Sequence, residues 1–120
     1  MASVFPHVDY TTIEPTALTG TSKTLCYTVG DQGDAWSDVT GVWIVGAGAA
    51  QIHVKLSSAG TERLFNDDVT VAAGYPHTVE GLPLHMEPGG TISVSGESGQ
   101  FVWITIIKGQ RTGEAAQKDR

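Results

Sequence analysis

The chain has 120 residues, which is the size of one domain and leaves no room for a second full one. Its net charge is −6 and its seven Lys and Arg residues are scattered, which argues against binding to nucleic-acid phosphates. The sequence contains no apolar run of about 18 residues that could cross a bilayer, so no membrane contact is predicted.

One cysteine, Cys26, is present, so the chain cannot form an internal disulfide. Cys26 stands in the apolar run Thr-Leu-Cys-Tyr-Thr-Val, and we interpret it as a small buried residue. The N-terminus lacks the basic start and apolar stretch of a signal peptide. We therefore expect the protein to be made in, and to stay in, a reducing compartment.

Residues 1–20 are predicted to form an extended N-terminal arm. They include Pro6, Pro15 and Gly20, and their apolar residues follow no steady spacing. Because the arm is too apolar to remain in water, it should either lie across its own domain or reach over a neighbouring subunit. The residues predicted to make this contact are Val4, Phe5, Val8, Tyr10, Ile13 and Leu18.

Residues 21–109 are predicted to form an all-β domain. Short β-rich runs alternate with clusters of Gly, Pro, Asp and Ser, and no segment shows helical spacing with a cap. Short strands without helical spacers favour an antiparallel β-sandwich or jelly roll. The predicted strands are residues 23–29, 40–45, 51–57, 63–65 with 69–72, 77–86, 91–95 and 100–108.

The last predicted strand is apolar on both faces, since it reads Phe-Val-Trp-Ile-Thr-Ile-Ile. One face can be covered by the opposite sheet, and the other must be covered by an arm, a loop or another subunit. Phe101 and Trp103 therefore either fill the core or form a subunit interface, and the pattern leaves both open. Residues 110–120 are predicted to be a flexible polar tail.

The sequence shows no motif of an enzyme. It lacks a Gly-x-Ser-x-Gly elbow, a phosphate-binding Gly-rich loop and a Cys-x-x-Cys pair. The four histidines do not show the His-x-His spacing of a cupin-like metal site, and the acidic loops do not match an EF-hand. We therefore predict no catalytic residues, no metal and no cofactor.

The order of the strand sequences carries a resemblance that covers roughly residues 21–108. It rests most on Gly-Leu-Pro-Leu-His-Met-Glu-Pro-Gly-Gly at 81–90, followed by Thr-Ile-Ser-Val-Ser. The other runs are Thr-Leu-Cys-Tyr-Thr-Val at 24–29, Val-Thr-Gly-Val-Trp-Ile-Val at 39–45, Ile-His-Val-Lys-Leu at 52–56 and Val-Thr-Val-Ala-Ala-Gly at 69–74. In this order the chain resembles small β-sandwich virion proteins of tailed bacteriophages.

The resemblance implies a structural role. Such a protein would be a capsid decoration (cement) subunit that bridges neighbouring major capsid proteins, or a subunit that contacts other virion proteins. It would act as a homo-oligomer, a trimer or a dimer, on the capsid surface after assembly in the host cytoplasm. The family supplies no catalytic residue, and the negative charge suits the outside of a particle better than the surface facing DNA.

Two other classes of function stay open. A tail, spike or head-completion module that binds a receptor glycan would stack exposed aromatic rings on sugar faces. The candidates are Tyr75, Trp43 and above all Trp36 in a polar loop, although Trp36 could instead fold back onto the core. A small cupin-like enzyme would need a His-rich cavity, which the sequence does not indicate.

Overall fold

The computed structural model describes residues 7–30 and 35–110. This part of the chain contains nine β-strands and no helix. The strands are β1 (His7–Ala17), β2 (Thr24–Thr28), β3 (Trp36–Val45), β4 (Gly48–Lys55), β5 (Arg63–Val71), β6 (His77–Thr78), β7 (Leu84–Met86), β8 (Thr91–Ser95) and β9 (Phe101–Gln110).

The strands form two antiparallel sheets that pack as a sandwich. Sheet A has the order β1-β9-β3, and β6 and β7 both pair with the far side of β3. Sheet B has the order β2-β8-β4-β5. This order, in which β9 returns to lie between β1 and β3, is that of an eight-stranded jelly roll, with the sixth strand position divided into β6 and β7. The predicted all-β sandwich is confirmed.

Alternating apolar residues from both sheets make the core. In β9, Val102, Ile104 and Ile106 point inward, as expected for a strand in which successive side chains face opposite ways. The sheets are also joined by a buried hydrogen bond between the Tyr27 hydroxyl and Ser37 Oγ, 2.5 Å apart. Every buried side-chain nitrogen or oxygen in the described ranges has a hydrogen-bond partner. The other main core residues are Val42, Ile44, Ile52, Val54, Met86, Ile92 and Val94.

The predicted N-terminal arm is largely a strand of the sandwich. Residues 7–17 form β1, which pairs with β9 along sheet A, so the domain begins by His7 and not at residue 21. Ile13 lies opposite Ile104 and is buried, and Leu18 is also buried in the core. Ile13 and Leu18 are therefore not accessible to a partner subunit, contrary to their prediction as interface residues. Pairing with a strand about 90 residues away decides their position, and no local pattern reveals it.

Three strand predictions are revised. Trp36 begins β3 because it pairs with Gly109 of β9, so it does not stand in a loop. The predicted strand 77–86 is divided into β6 and β7, with Gly81 at positive φ between them. The backbone of β5 runs continuously from Arg63 to Val71. Because β9 extends to Gln110, the predicted tail loses its first residue, and its remaining residues lie outside the described part.

Candidate interaction surface

The outer face of sheet A carries a group of aromatic and apolar side chains. Because Val102, Ile104 and Ile106 point inward, the residues between and beside them on β9 point outward. Their cross-strand partners on β1 and β3 share the same face. We call this surface the aromatic face, and it consists of Tyr10, Thr12, Trp43, Val45, Phe101, Trp103, Thr105 and Ile107.

Two rows of large side chains form one half of the aromatic face. Trp43 of β3 lies directly opposite Trp103 of β9, and Val45 lies opposite Phe101. Trp103 is 47% exposed and Phe101 is 45% exposed, so each has about half of its surface in water. Large apolar side chains that adjoin one another on a surface mark an interaction site more often than single ones do.

A groove crosses the Trp43–Trp103 row, since Val45 and Pro76 line it on one side and Thr12 and Thr105 on the other. The next row along the strands contains Thr12, Thr105 and Gly41, which are small. The Trp43 ring leans over Gly41, since a Cβ placed there would lie 2.2 Å from the ring. The groove has a volume of about 590 Å³, and none of its lining residues is charged. They are Thr12, Trp43, Val45, Pro76, Trp103 and Thr105.

The corner of sheet A near the start of β3 is polar. We call Trp36, Asp38, His85 and Glu87 the polar corner. His85 Nδ1 lies 2.5 Å from Asp38 Oδ1, its Nε2 contacts Glu87 Oε2, and its ring is tilted against that of Trp36 at 5.8 Å between centroids. Hydrogen bonds to Asp38 and then to Glu87 raise the pKa of His85 above its usual value.

The outer face of sheet B is different in character. Exposed Leu25 and Leu64 stand at opposite ends of one row, and Ser93 and His53 separate them. Lys23 and Glu62 form an ion pair at this surface, and the hydrogen bond from Lys23 lowers the pKa of Glu62. Leu25 is therefore a single apolar residue among polar groups, whereas Leu64 lies at the sheet edge beside Leu56 and Phe65.

A second apolar pocket, of about 440 Å³, opens at the edge of the sandwich between β5 and β7. Leu56, Leu64 and Phe65 line it, with Arg63 at the side. It adjoins residues 66–68, whose side chains lie outside the described part, so we assign no site to it.

The structure brings together part of the predicted interface. Tyr10, Phe101 and Trp103 all lie on the aromatic face, and Tyr10 is 67% exposed. Val4 and Phe5, and the side chain of Val8, lie outside the described residues. The sequence reading missed Trp43 and Val45 as parts of this face, because the β-bulge between Val39 and Gly41 interrupts the alternation of β3.

The two aromatic residues predicted to contact a glycan are far apart. Trp36 begins β3 and its ring lies over Gly109, where a Cβ would come within 2.1 Å of the ring. Tyr75 follows β5, is 74% exposed, and adjoins Pro76 near the other end of β3. Trp43 lies seven positions after Trp36 along β3, which is roughly 23 Å. Trp36 and Tyr75 therefore do not form one sugar platform.

Cys26 is buried, as the sequence predicted, and burial raises the pKa of its thiol to about 11. Across residues 7–30 and 35–110, no three His, Cys, Asp or Glu side chains are placed to hold a metal ion. In the same ranges no helix is long and apolar enough to cross a bilayer.

The fold defines the chain as an all-β jelly-roll domain with one aromatic and one polar outer face. No protein-family model, curated protein or solved structure matches it. Its function must therefore be argued from its own surfaces.

Proposed function

We propose that the protein is a structural subunit of a phage virion, a capsid decoration (cement) protein that assembles through the aromatic face. The observation that carries this proposal is the contrast between the two outer faces. The outer face of sheet A groups Trp43, Trp103 and Val45 around an uncharged groove, whereas that of sheet B carries an ion pair and has polar residues between its exposed leucines.

A surface of this composition favours a protein partner. Tryptophan, tyrosine and phenylalanine are enriched in the buried centres of protein interfaces, and charged residues are depleted there. The chain has a net charge of −6, yet none of the residues lining the groove is charged. Burying this groove against another subunit therefore requires no charged group of its lining to lose its water.

A second candidate is a glycan-binding virion module that uses the polar corner. Trp36 offers an aromatic surface, and Asp38, His85 and Glu87 beside it can form hydrogen bonds to hydroxyl groups. His85 already bonds to both Asp38 and Glu87, so a sugar would have to replace those bonds. Loss of glycan binding in a Trp36→Ala variant would favour this candidate over the cement role.

The cement role predicts binding to capsid shells. Purified protein would be mixed with shells of the phage that encodes the chain, and the bound fraction would be measured by co-sedimentation. We expect wild type and Leu25→Ser to bind, and Trp103→Ser to lose most of its binding. Leu25 is the matched control because it is 57% exposed, but on the outer face of sheet B.

Two outcomes would contradict the proposal. The first is wild-type protein that stays in the supernatant at every shell concentration. The second is a Trp103→Ser variant that folds normally and binds shells as well as wild type does, since the aromatic face would then play no part in assembly.

A further inference from the structure

We propose that the partner of the aromatic face is a second copy of this chain, in a two-fold dimer in which Trp103 of each copy enters the groove of the other. This inference rests on the proposed function, because it names the occupant of the same surface. It makes the dimer, and not the single chain, the unit that joins a larger assembly.

The aromatic face has a ridge and a groove side by side. The ridge is the row that contains Trp43 and Trp103, and the groove has Thr12 and Thr105 in the next row. Neighbouring outward rows of a strand are about 7 Å apart. Beyond the groove, Tyr10 and Ile107 form a second bulky row, which ends on β3 at Asp38 of the polar corner. The small row therefore lies between two large ones.

This arrangement is complementary to itself. A two-fold axis can be placed in the plane between two copies, parallel to the rows and midway between Trp103 and Thr105. Rotation about this axis brings the ridge of one copy over the groove of the other. Trp103 of each copy then stands over Thr105 of the other, and Phe101 stands over Ile107. Two sheets packed in this way keep their strands nearly aligned, as sheets do within a sandwich.

The groove is wide enough for this insertion. Its volume of about 590 Å³ exceeds the roughly 230 Å³ of a tryptophan residue, so an indole from the partner fits together with neighbouring side chains. Because the chain is acidic, an approach through a charged face would bring like charges together. An approach through the uncharged groove avoids that repulsion at the centre of the contact.

The area of the face places the dimer among small, transient interfaces. An aromatic side chain carries roughly 150–250 Å², so the exposed parts of Tyr10, Phe101 and Trp103 together offer roughly 300 Å². The half-buried Trp43, Val45 and Ile107 and the groove residues bring the face to roughly 600 Å² per copy, against about 800 Å² in a standard interface. We therefore expect a reversible dimer with a Kd in the micromolar range.

Sedimentation equilibrium of the full-length chain tests this inference. Between about 1 µM and 500 µM, a range that brackets such a Kd, we expect the mass of wild type to rise from 12.6 kDa to twice that value. Leu25→Ser should dimerise like wild type. Trp103→Ser should weaken the dimer at least tenfold, because the ridge is lost.

The Thr12→Trp variant distinguishes specific insertion of Trp103 from non-specific hydrophobic association. Thr12 is exposed on the edge strand β1 and lines the groove, so an indole at this position fills the space that Trp103 of the partner needs. The variant has more apolar surface than wild type, yet we expect it to remain monomeric. Circular dichroism and a denaturant titration would check that each variant is folded.

Several outcomes would overturn the inference. They are a wild type that stays monomeric throughout the range, a mass of three chains, or a Thr12→Trp variant that associates more tightly than wild type. A wild-type monomer that still binds shells through Trp103 would overturn the dimer and leave the cement role standing. A dimer that shows the expected variant pattern but does not bind shells would support the dimer and overturn the cement role.

Discussion

At the scale of single residues, two tryptophans of sheet A lie over glycines. The Trp43 ring covers Gly41, two residues before it, and the Trp36 ring covers Gly109 on the neighbouring strand. A glycine inside a strand weakens the sheet because it has no side chain to pack. An aromatic ring that lies over the glycine restores this contact and is itself held in place, so both rings have a structural role before any partner is considered.

His85 joins β7 to β3 through charge as well as through the backbone. Asp38 lies on β3 and Glu87 follows β7, so a protonated His85 is held between two carboxylates. The raised pKa of His85 means that the folded state binds this proton more tightly than the unfolded chain does. The interaction therefore stabilises the folded state fully below the ordinary histidine pKa of about 6.5. This stabilisation is lost as the pH rises through the raised pKa of His85.

His85→Gln should accordingly destabilise the protein more at about pH 6 than at about pH 9. Because His85 is exposed, we expect the difference to be below about 1 kcal/mol. Denaturant unfolding of wild type and variant at both pH values measures it, and NMR titration of Asp38→Asn should show a lower His85 pKa. Equal destabilisation at both pH values would contradict this account.

At the scale of elements, Gln100 connects two turns at one end of the sandwich. Its side chain is fully buried just before β9. Its Nε2 donates to the carbonyl of Gly46, in the turn between β3 and β4, at 3.0 Å. Its Oε1 accepts from the backbone N–H of Glu97, in the turn between β8 and β9, at 2.8 Å. One amide thus fixes the positions of both turns.

Gln100→Leu keeps the volume of the side chain but removes both bonds. Because the Gly46 carbonyl and the Glu97 N–H would lose their partners, we expect a loss of about 2–4 kcal/mol in the free energy of unfolding. Ser98→Ala, an exposed change in the same turn, is the control and should be close to neutral. A Gln100→Leu variant as stable as the control in urea would show that these bonds contribute little.

The strands differ in how far the sequence could predict them. In β9 the inward Val102, Ile104 and Ile106 alternate with the outward Phe101 and Trp103, so the two apolar faces could be read directly. The pattern could not say what covers the outward face, because that depends on which strands pair with β9. Register between distant strands is set by burial over the whole sandwich and leaves little local trace.

In β1 the local signal is weak for a physical reason. Thr11 stands opposite Ile106 at an inward position, and Pro15 accompanies a break in register between Ile13 and Thr16. A polar residue inside and an interrupted alternation favour an extended arm over a strand when only neighbours are considered. Likewise, the aromatic residues of the candidate surface were partly predicted from β9, whereas Trp43 and the groove required the pairing of β3 with β9.

At the scale of the whole molecule, the first and last described strands are neighbours. β1 pairs with β9 along most of its length, so the two ends of the described domain lie side by side in sheet A. Ile13 and Leu18 place this segment in the shared core. Folding therefore requires contacts between residues nearly a full chain length apart, as in other high-contact-order β-proteins.

Deletion of residues 1–20 should consequently unfold the domain. The deletion removes β1, uncovers β9 and takes two buried side chains from the core, each worth about 2–5 kcal/mol on truncation to alanine. Far-ultraviolet circular dichroism and urea unfolding would measure the loss, with the exposed change Glu14→Ala as the control. A shortened chain that unfolds at the same urea concentration as the full chain would contradict this role of β1.

The division of one outer strand into β6 and β7 affects how copies of the chain can meet. β3 is paired there only by two residues of β6 and three of β7, with Val79 donating to the Val42 carbonyl between them. This margin therefore offers no long, straight run of free backbone groups to which a foreign strand could add. Strand addition at such margins is the first step of many fibrils. The divided strand thus makes this edge a poor template for polymerisation of a concentrated protein.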